Sequence, residues 1–401
     1  MANHTVRVAI IGAGIGGLAA AIALTRIAGV QVTVFEQARH IAEVGAGFGV
    51  APNGQRVLDR LGLLDETKLA GAVMEGPDLY RNADSRIIAE GAYSDSSGRY
   101  HTLGMHRADF VDMLTRQLPS GTVHTGHRLT SIRASDTSVR LEFENGTDAE
   151  FDAVVGADGI HSVVRESITQ PSNPVYSGSI AYRGVLDASL LPKDWPMKIQ
   201  IWMGKDKHFM CYPLRHRTLF NYVGFVSSDK PLKESWSAAG DVDELAAEFA
   251  GDGWDPRLRE FIGRIDKTFW WGLYDREPLR NWTRGRVTLL GDAAHPMLPH
   301  AGQGVNQALE DSVTLAMFVG EVRNSNDIVT AFKRYTSARM QRTAIVQANS
   351  RRSGSQRDSQ AEFEDLRRRD AEMRAGRDFR RSFIFDYDAA AVAQKYLTRS
   401  Y

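Results

Sequence analysis

The chain has a single cysteine, Cys211, so it can form no internal disulfide. That usage fits a reducing compartment. No apolar run approaches the roughly 20 residues a membrane-crossing helix needs, and the apolar start VRVAIIGAG has no basic leader before it. Neither sign of charge is in excess: Lys+Arg and Asp+Glu stand at 49 each over 401 residues. The whole chain therefore has no net field to draw nucleic acid or an acidic membrane. Internal repeats are also missing. Composition is ordinary, 43% hydrophobic and 24% charged, and the length suggests two or three structural units around a large core. The expectation is a soluble, cytoplasmic monomer or homodimer with no nucleic-acid or membrane partner.

What is present is patterned. An apolar, β-branched run (6–11) precedes GAGIGG and a small-residue helix, and VQVTVFE follows. This is a β-α-β unit of about 30 residues. A β-rich stretch (122–151) has a hairpin signal at Asn145-Gly146 and leads into DAVVGADG. IAYRGVL, KIQIWMG, HFMCYPL and LFNYVGFV follow with no helical pattern between them, which predicts antiparallel strands. Residues 241–265 read as helical, VTLL returns a parallel-type strand, and the chain beyond Asp327 is helical. The predicted class is α/β and discontinuous: a Rossmann-type dinucleotide-binding domain (1–75, 102–175 and 281–325), an inserted, mostly antiparallel sheet domain (76–101 and 176–280) and a helical C-terminal region (326–401). The tail from Arg339 to Arg381 is arginine-dense but interrupted by Asp358, Glu362, Glu364, Asp365, Asp370 and Glu372. It reads as a solvated helical face.

Gly12, Gly14 and Gly17 form G-x-G-x-x-G between a strand and a helix. Gly12 permits the tight turn, Gly14 lets backbone approach a pyrophosphate, and Gly17 lets helix and strand pack closely, while the helix N-terminus faces the phosphates. Glu36, at the end of the second strand, is placed to accept hydrogen bonds from ribose hydroxyls. The motif alone does not separate FAD from NAD. A second glycine cluster, GAGFGVAPNG (45–54), lacks clear strand–helix context and reads as a loop whose backbone approaches something flat.

Three further motifs stand in fixed order: HRADF (106–110), GADGIHSVVR (156–165) and GDAAHPMLPHAGQGVNQALED (291–311). Together with GAGIGG they resemble the single-component (group A) FAD-dependent aromatic hydroxylases, in particular the salicylate hydroxylase, 3-hydroxybenzoate 6-hydroxylase and 6-hydroxynicotinate 3-monooxygenase branch. AYRG at Ala181, HFMCYPLR at His208 and YDREPLRNW at Tyr274 extend the likeness over most of the chain. The resemblance implies the para-hydroxybenzoate hydroxylase-like fold, FAD as cofactor, and NADH or NADPH as transient co-substrate. It assigns Gly12, Gly14 and Gly17 to the pyrophosphate, Glu36 to the adenosine ribose, and main chain near Gln37 and Leu129 to the adenosine end. Arg107 would stand by the pyrophosphate and ribityl chain, Asp158 would serve FAD and the nicotinamide cofactor, and Asp292 would bind the ribityl chain. Backbone at Gly302, Gly304, Val305 and Asn306 would line the flavin ring, where a helix dipole favours the anionic reduced flavin.

The reaction so implied is hydroxylation of a small phenolic or hydroxypyridine carboxylate by O2 through a flavin C4a-hydroperoxide, with or without loss of the carboxylate. The cofactor does the hard chemistry, while the protein positions the ring, helps remove its phenolic proton and excludes water. His208 and Tyr212 are candidate catalytic residues, because i and i+4 of a strand share a face and the relatives carry this pair at the substrate. His300, in Pro-His-Ala-Gly-Gln-Gly, is the third, since imidazole exchanges protons near neutrality. His295 reads as a brace for the loop, and no metal site is expected because a ligand set is not evident. Gly49 stands where the hydroxynicotinate enzyme has a histidine, so that one substrate contact is missing, and Cys211 alternates away from His208 as packing. A bulkier natural product or antibiotic is the alternative substrate class. A non-catalytic binding protein on this fold is a further alternative, which intact Asp158-Gly159 and Asp292 argue against, and the W-x-W-x-I-P pattern of halogenases is absent.

Overall fold

The computed structural model describes residues 5–41, 47–81, 87–89, 93–229, 238–251, 253–358, 368, 371–372, 376 and 378–398. Gly45 and Ala46 of the second glycine cluster lie outside them, as do Glu362, Glu364, Asp365 and Asp370 of the tail. A six-stranded sheet orders its strands Thr283–Arg284, Val287–Leu289, Ala153–Gly156, Val6–Ile11, Val30–Phe35 and Val123–His124. All pairs are parallel except the first. Val8, Ile10, Val154, Val155 and Leu289 are fully buried. This is why these strands read as continuous apolar runs, since a parallel sheet is covered on both faces. The helix Ile15–Thr25 and the helix Gly304–Val319 pack together over it, and a small hairpin sheet (129–151) turns at Asn145-Gly146, with Gly146 at φ +82°.

The second large sheet has eight strands and is antiparallel apart from one pair, Lys198–Met203 with Glu75–Arg81. Strand alternation gives it two different faces. Phe209, Cys211 and Tyr222 point to one side and form a core with Phe249, Leu258 and Phe261, from and beside two short helices. His208, Met210 and Tyr212 point to the other, towards the nucleotide fold, as do their cross-strand neighbours Phe225, Val223 and Asn221. Met210 and Val223 lie on central strands of this sheet and still keep solvent access. A cleft therefore opens over this face.

Two expectations are corrected. From Gly47 on, the second glycine cluster is no loop: Gly47–Val50 is a strand paired with Leu103–His106, and Pro52–Arg60 is a helix with proline in its first turn. The strand's partner is distant in sequence, so local pattern could not show it. The arginine-dense tail is not a solvated face over its first part either, although Arg352, Arg368 and Arg381 are exposed. In the helix Asp327–Arg357, Arg339, Arg342 and Arg357 are buried. Arg339 binds Asp311 through Nε at 2.7 Å and also contacts Glu310, while Arg342 grips Glu310 with Nε at 2.7 Å and Nη2 at 2.8 Å. Those carboxylates sit in the middle of the helix Gly304–Val319, and a buried acid requires such partners. Among the described residues, no helix is long and apolar enough to cross a membrane.

Candidate active site

The glycine loop after the first strand is held by sterics that exclude any side chain at two positions. Gly12 has φ +104°, and a Cβ on it would lie 2.4 Å from the Ala157 carbonyl oxygen. A Cβ on Gly17 would lie 2.0 Å from the Gly12 carbonyl oxygen. Gly14 is different: it ends the loop at the helix N-terminus, and a Cβ there would meet nothing within 4 Å. Glu36 fastens this loop, accepting from Ala13 N–H and Ala38 N–H at 2.8 Å each. Gln37 beside it is exposed, and the side chain of Leu129 is in the core, so Leu129 can offer a ligand only main chain.

The open side continues along the molecule. The helix Ile15–Thr25 approaches Leu290 and Ala308 closely enough that a Cβ on Gly16 would lie 2.8 Å and 3.0 Å from them. Asp292, in the turn Gly291–Ala293, is solvent-accessible although protein surrounds it, which places it in a deep cleft. Burial pushes its carboxyl pKa up, while His295, Arg107 and Arg165 pull it back. Arg107 opens the helix Arg107–Arg116 and faces Asp292 electrostatically. Asp158 is committed as a cap: it accepts from Ser162 Oγ at 2.5 Å, Val163 N–H at 2.8 Å and Val164 N–H at 3.2 Å. Gly302 has φ +63° and an open Cβ side, and a Cβ on Gly304, which starts the next helix, would find Asp292 Oδ1 nearest, at 3.9 Å. Val305 is half-buried beside it. The Asn306 side chain ties the loops together, accepting from Ala51 N–H at 2.9 Å and donating to the carbonyls of Gly49 and Gly302 at 3.0 and 2.9 Å.

On the sheet face, His208 is fully buried and stacked on Phe225, with ring centroids 4.3 Å apart. The His300 ring lies 5.4 Å from it and 4.8 Å from Phe225. His208 Nδ1 meets Asp358 Oδ1 at 2.6 Å, whereas His208 Nε2 and His300 Nδ1 are buried with no partner among the described residues. Burial lowers the pKa of both imidazoles. Tyr212 shares the face but has other neighbours, among them Met74, Leu79 and Ile201. Burial pushes its hydroxyl pKa well up. Arg183 lies over the Trp271 ring at 3.8 Å, and burial together with Arg107 brings it down to about 9. His295 stands apart, with Nε2 2.6 Å from Asp311 Oδ2. Among the described residues, no group of three or more His, Cys, Asp or Glu could hold a metal.

Residues 5–352 match the FAD binding domain family. A 3-amino-4-hydroxybenzoate 2-monooxygenase of Streptomyces platensis is 36% identical over 88% of this chain and 89% of its own length. A 6-hydroxynicotinate 3-monooxygenase of Bordetella bronchiseptica is 35% identical over 85% of this chain and 89% of its own. The chain belongs to the FAD-dependent aromatic-ring monooxygenases. The solved structure of a salicylate hydroxylase substrate complex covers 100% of both chains with a TM-score of 0.86 at 27% identity. The monooxygenase thus has the para-hydroxybenzoate hydroxylase-like fold that the motifs imply. Its sequence did not point to Asp358, Arg357 or Gly354, all in or next to the last turn of the long helix. An acid and an arginine side by side in a charge-rich tail carry no spacing signal. A glycine inside a 31-residue helix does carry one, because it weakens the helix unless something needs the room.

Proposed function

We propose that this monooxygenase uses FAD and NAD(P)H to hydroxylate a phenolic or hydroxypyridine carboxylate. The observation that carries the reading is the His208–His300 pair: two buried imidazoles, each with an unpartnered nitrogen, one on the sheet face and one on the loop that meets it. A buried polar atom without a partner is costly, and a substrate hydroxyl would satisfy it. The relatives named above act on ring acids that carry a hydroxyl, which supports the same class.

The residues present fit FAD. The bare side of Gly14 leaves room for pyrophosphate at a helix N-terminus. In this reading Gly12 and Gly17 shape that loop, Glu36 with the main chain at Gln37 and Leu129 takes the adenosine end, and Arg107 and Asp292 flank the ribityl chain. Asp158 positions its turn as a cap. Backbone from Gly302 through Gly304 and Val305 to Asn306 would hold the ring, because Gly302 and Gly304 present no side chain there. FAD, when bound, supplies the redox chemistry, taking reducing equivalents from the nicotinamide and activating O2.

The chain's own residues do the rest. Asp358 fixes the His208 tautomer with the proton on Nδ1, leaving Nε2 as acceptor for the phenolic proton. Burial keeps His208 neutral near neutrality and so ready to accept. Tyr212, held protonated, is a donor on the same face. His300, also neutral, closes the cleft from the loop side. The test is a panel of hydroxybenzoates and hydroxynicotinates with NAD(P)H oxidation, oxygen uptake and peroxide all recorded. One or more acids should stimulate NAD(P)H oxidation and yield hydroxylated product; no stimulation across the panel refutes the substrate class.

A further inference from the structure

The imidazoles are only part of the polar lining here. Arg357 ends the long helix and is 4% exposed. Its Nη1 donates to the His300 carbonyl at 2.8 Å, and its Nε is buried with no partner among the described residues. The one carboxylate among those residues that bears on it is that of Asp358, whose Oδ1 is already against His208. A second arginine comes towards it instead. Arg380, half-buried, donates from Nη1 to Tyr93 Oη at 3.4 Å, and its charge repels that of Arg357. Tyr93 acts electrostatically on both Arg357 and Tyr212, and Arg357 acts on both imidazoles. Arg357 is thus anchored at His300, and Arg380 at Tyr93, which packs against the cluster that holds Tyr212.

A buried guanidinium with an unpartnered Nε–H and a like charge acting on it is unfavourable until an anion joins it. Its planar fork matches a carboxylate in two parallel hydrogen bonds. We propose that Arg357, assisted by Arg380, forms the subsite for the carboxylate of the substrate, beside the imidazoles that handle the ring hydroxyl. The assignment rests on the reading of the substrate as a phenolic or hydroxypyridine acid. It makes the end of the long helix the part of the chain that selects acids over neutral phenols.

The test uses the FAD-loaded enzyme without NAD(P)H. Matched pairs are titrated into it: 4-hydroxybenzoate against 4-hydroxybenzamide, and 6-hydroxynicotinate against 6-hydroxynicotinamide. Binding is read by calorimetry and by tryptophan fluorescence, since Trp271 lines the same face. The wild type should prefer an acid over its amide. Arg357→Gln should weaken the acid roughly 10–100-fold and the amide far less. Arg357→Lys, which keeps charge but loses the fork, should fall between, and Arg380→Gln should show a smaller loss. Should Arg357→Gln lose FAD or melt early, Arg357→Lys and Arg380→Gln decide the matter. An acid preference that survives all three variants overturns the subsite and leaves the proposed function standing, as does a parallel loss of acid and amide. If no member of either pair binds the wild type, the substrate class fails and the subsite with it.

Discussion

Gly354→Ala is a substitution for which helix chemistry and site geometry demand opposite results. Inside the helix Asp327–Arg357, alanine is favoured over glycine by about 1 kcal/mol. Here, however, a Cβ would lie 2.6 Å from His300 Cδ2 and 2.8 Å from Nε2. Ordinary carbon contacts are ~3.5–4.0 Å, so the ring must withdraw by about 1 Å. Its retreat is blocked by Phe225 and His208, and Ser350 pins the loop by accepting from Ala301 N–H at 3.1 Å and donating to Leu298 O. Overpacking of this kind costs about 1–3 kcal/mol, so the net stability change should be small and unfavourable, about 0–2 kcal/mol. Activity should suffer far more, because a 1 Å misplacement of a group at the reacting centre can cost about 10²-fold. The expected outcome is a Tm lowered slightly, retained FAD, hydroxylation reduced roughly 100-fold and more NADPH or NADH diverted to peroxide. The His300→Ala background is the control. With the ring gone, the same Gly354→Ala change should stabilise the protein by about 1 kcal/mol. A variant that melts higher than wild type and hydroxylates normally, or one destabilised equally with and without the imidazole, refutes the reasoning.

Three other perturbations probe separate parts of the molecule. Burial lowers the His208 pKa and Asp358 partly restores it, so Asp358→Asn should let it fall further. In the proposed mechanism neutral His208 is the active form, so the acidic limb of kcat/KM should move to lower pH, with the plateau reduced about tenfold as the tautomer is released; a limb that stays in place removes the pair from the mechanism. Arg339→Met should cost about 3–5 kcal/mol in urea or thermal unfolding, because it leaves the buried Glu310 and Asp311 undercompensated. Burial alone would raise both carboxyls, yet their partners hold them lowered, so this stability is present above the unfolded carboxylate pKa and lost as pH falls through the folded one; a Tm change under a degree or two would show the cluster to be dispensable. Gly14→Ala, at φ −68° with open space beside it, should leave the apoprotein's melting unchanged and weaken FAD binding, whereas Gly17→Ala should destabilise the apoprotein itself. Equal effects of the two on apoprotein melting would contradict the distinct roles given to them.

Which parts of the fold were legible follows from how local their causes are. Val6–Ile11 and Val287–Leu289 are buried on both faces, so each strand advertises itself as an apolar run whatever its neighbours are. The inserted sheet was legible for a similar reason: HFMCY alternates between a filled core and a cleft, and the chain shows both environments residue by residue. Gly47–Val50 has only four residues, two of them glycine, and is a strand because Leu103–His106 supplies its hydrogen-bond partners. Nothing nearby encodes that pairing. The helix after it did have a local sign, Pro52 in its first turn.

The site divides along the same line. GAGIGG and GDAAHPMLPHAGQGVN are compact loops, and their chemistry lies within a few residues of their glycines. The misread arginines differ, because the burial of a charge is decided by what faces it. Arg339 and Arg342 carry no apolar stripe and look like surface, but they face Glu310 and Asp311, set in a helix otherwise buried among apolar side chains. The acids were the better signal: carboxylates in the middle of a helix that must be buried require cations from elsewhere. The same logic extends to the end of the long helix. Arg357 and Asp358 are adjacent and opposite in charge, yet they do not neutralise each other at contact distance. Asp358 turns to His208 and Arg357 to the His300 carbonyl. Neighbouring charges that make their direct contacts with separate buried partners are arranged by what those partners need, and a sequence pattern records only that they are neighbours.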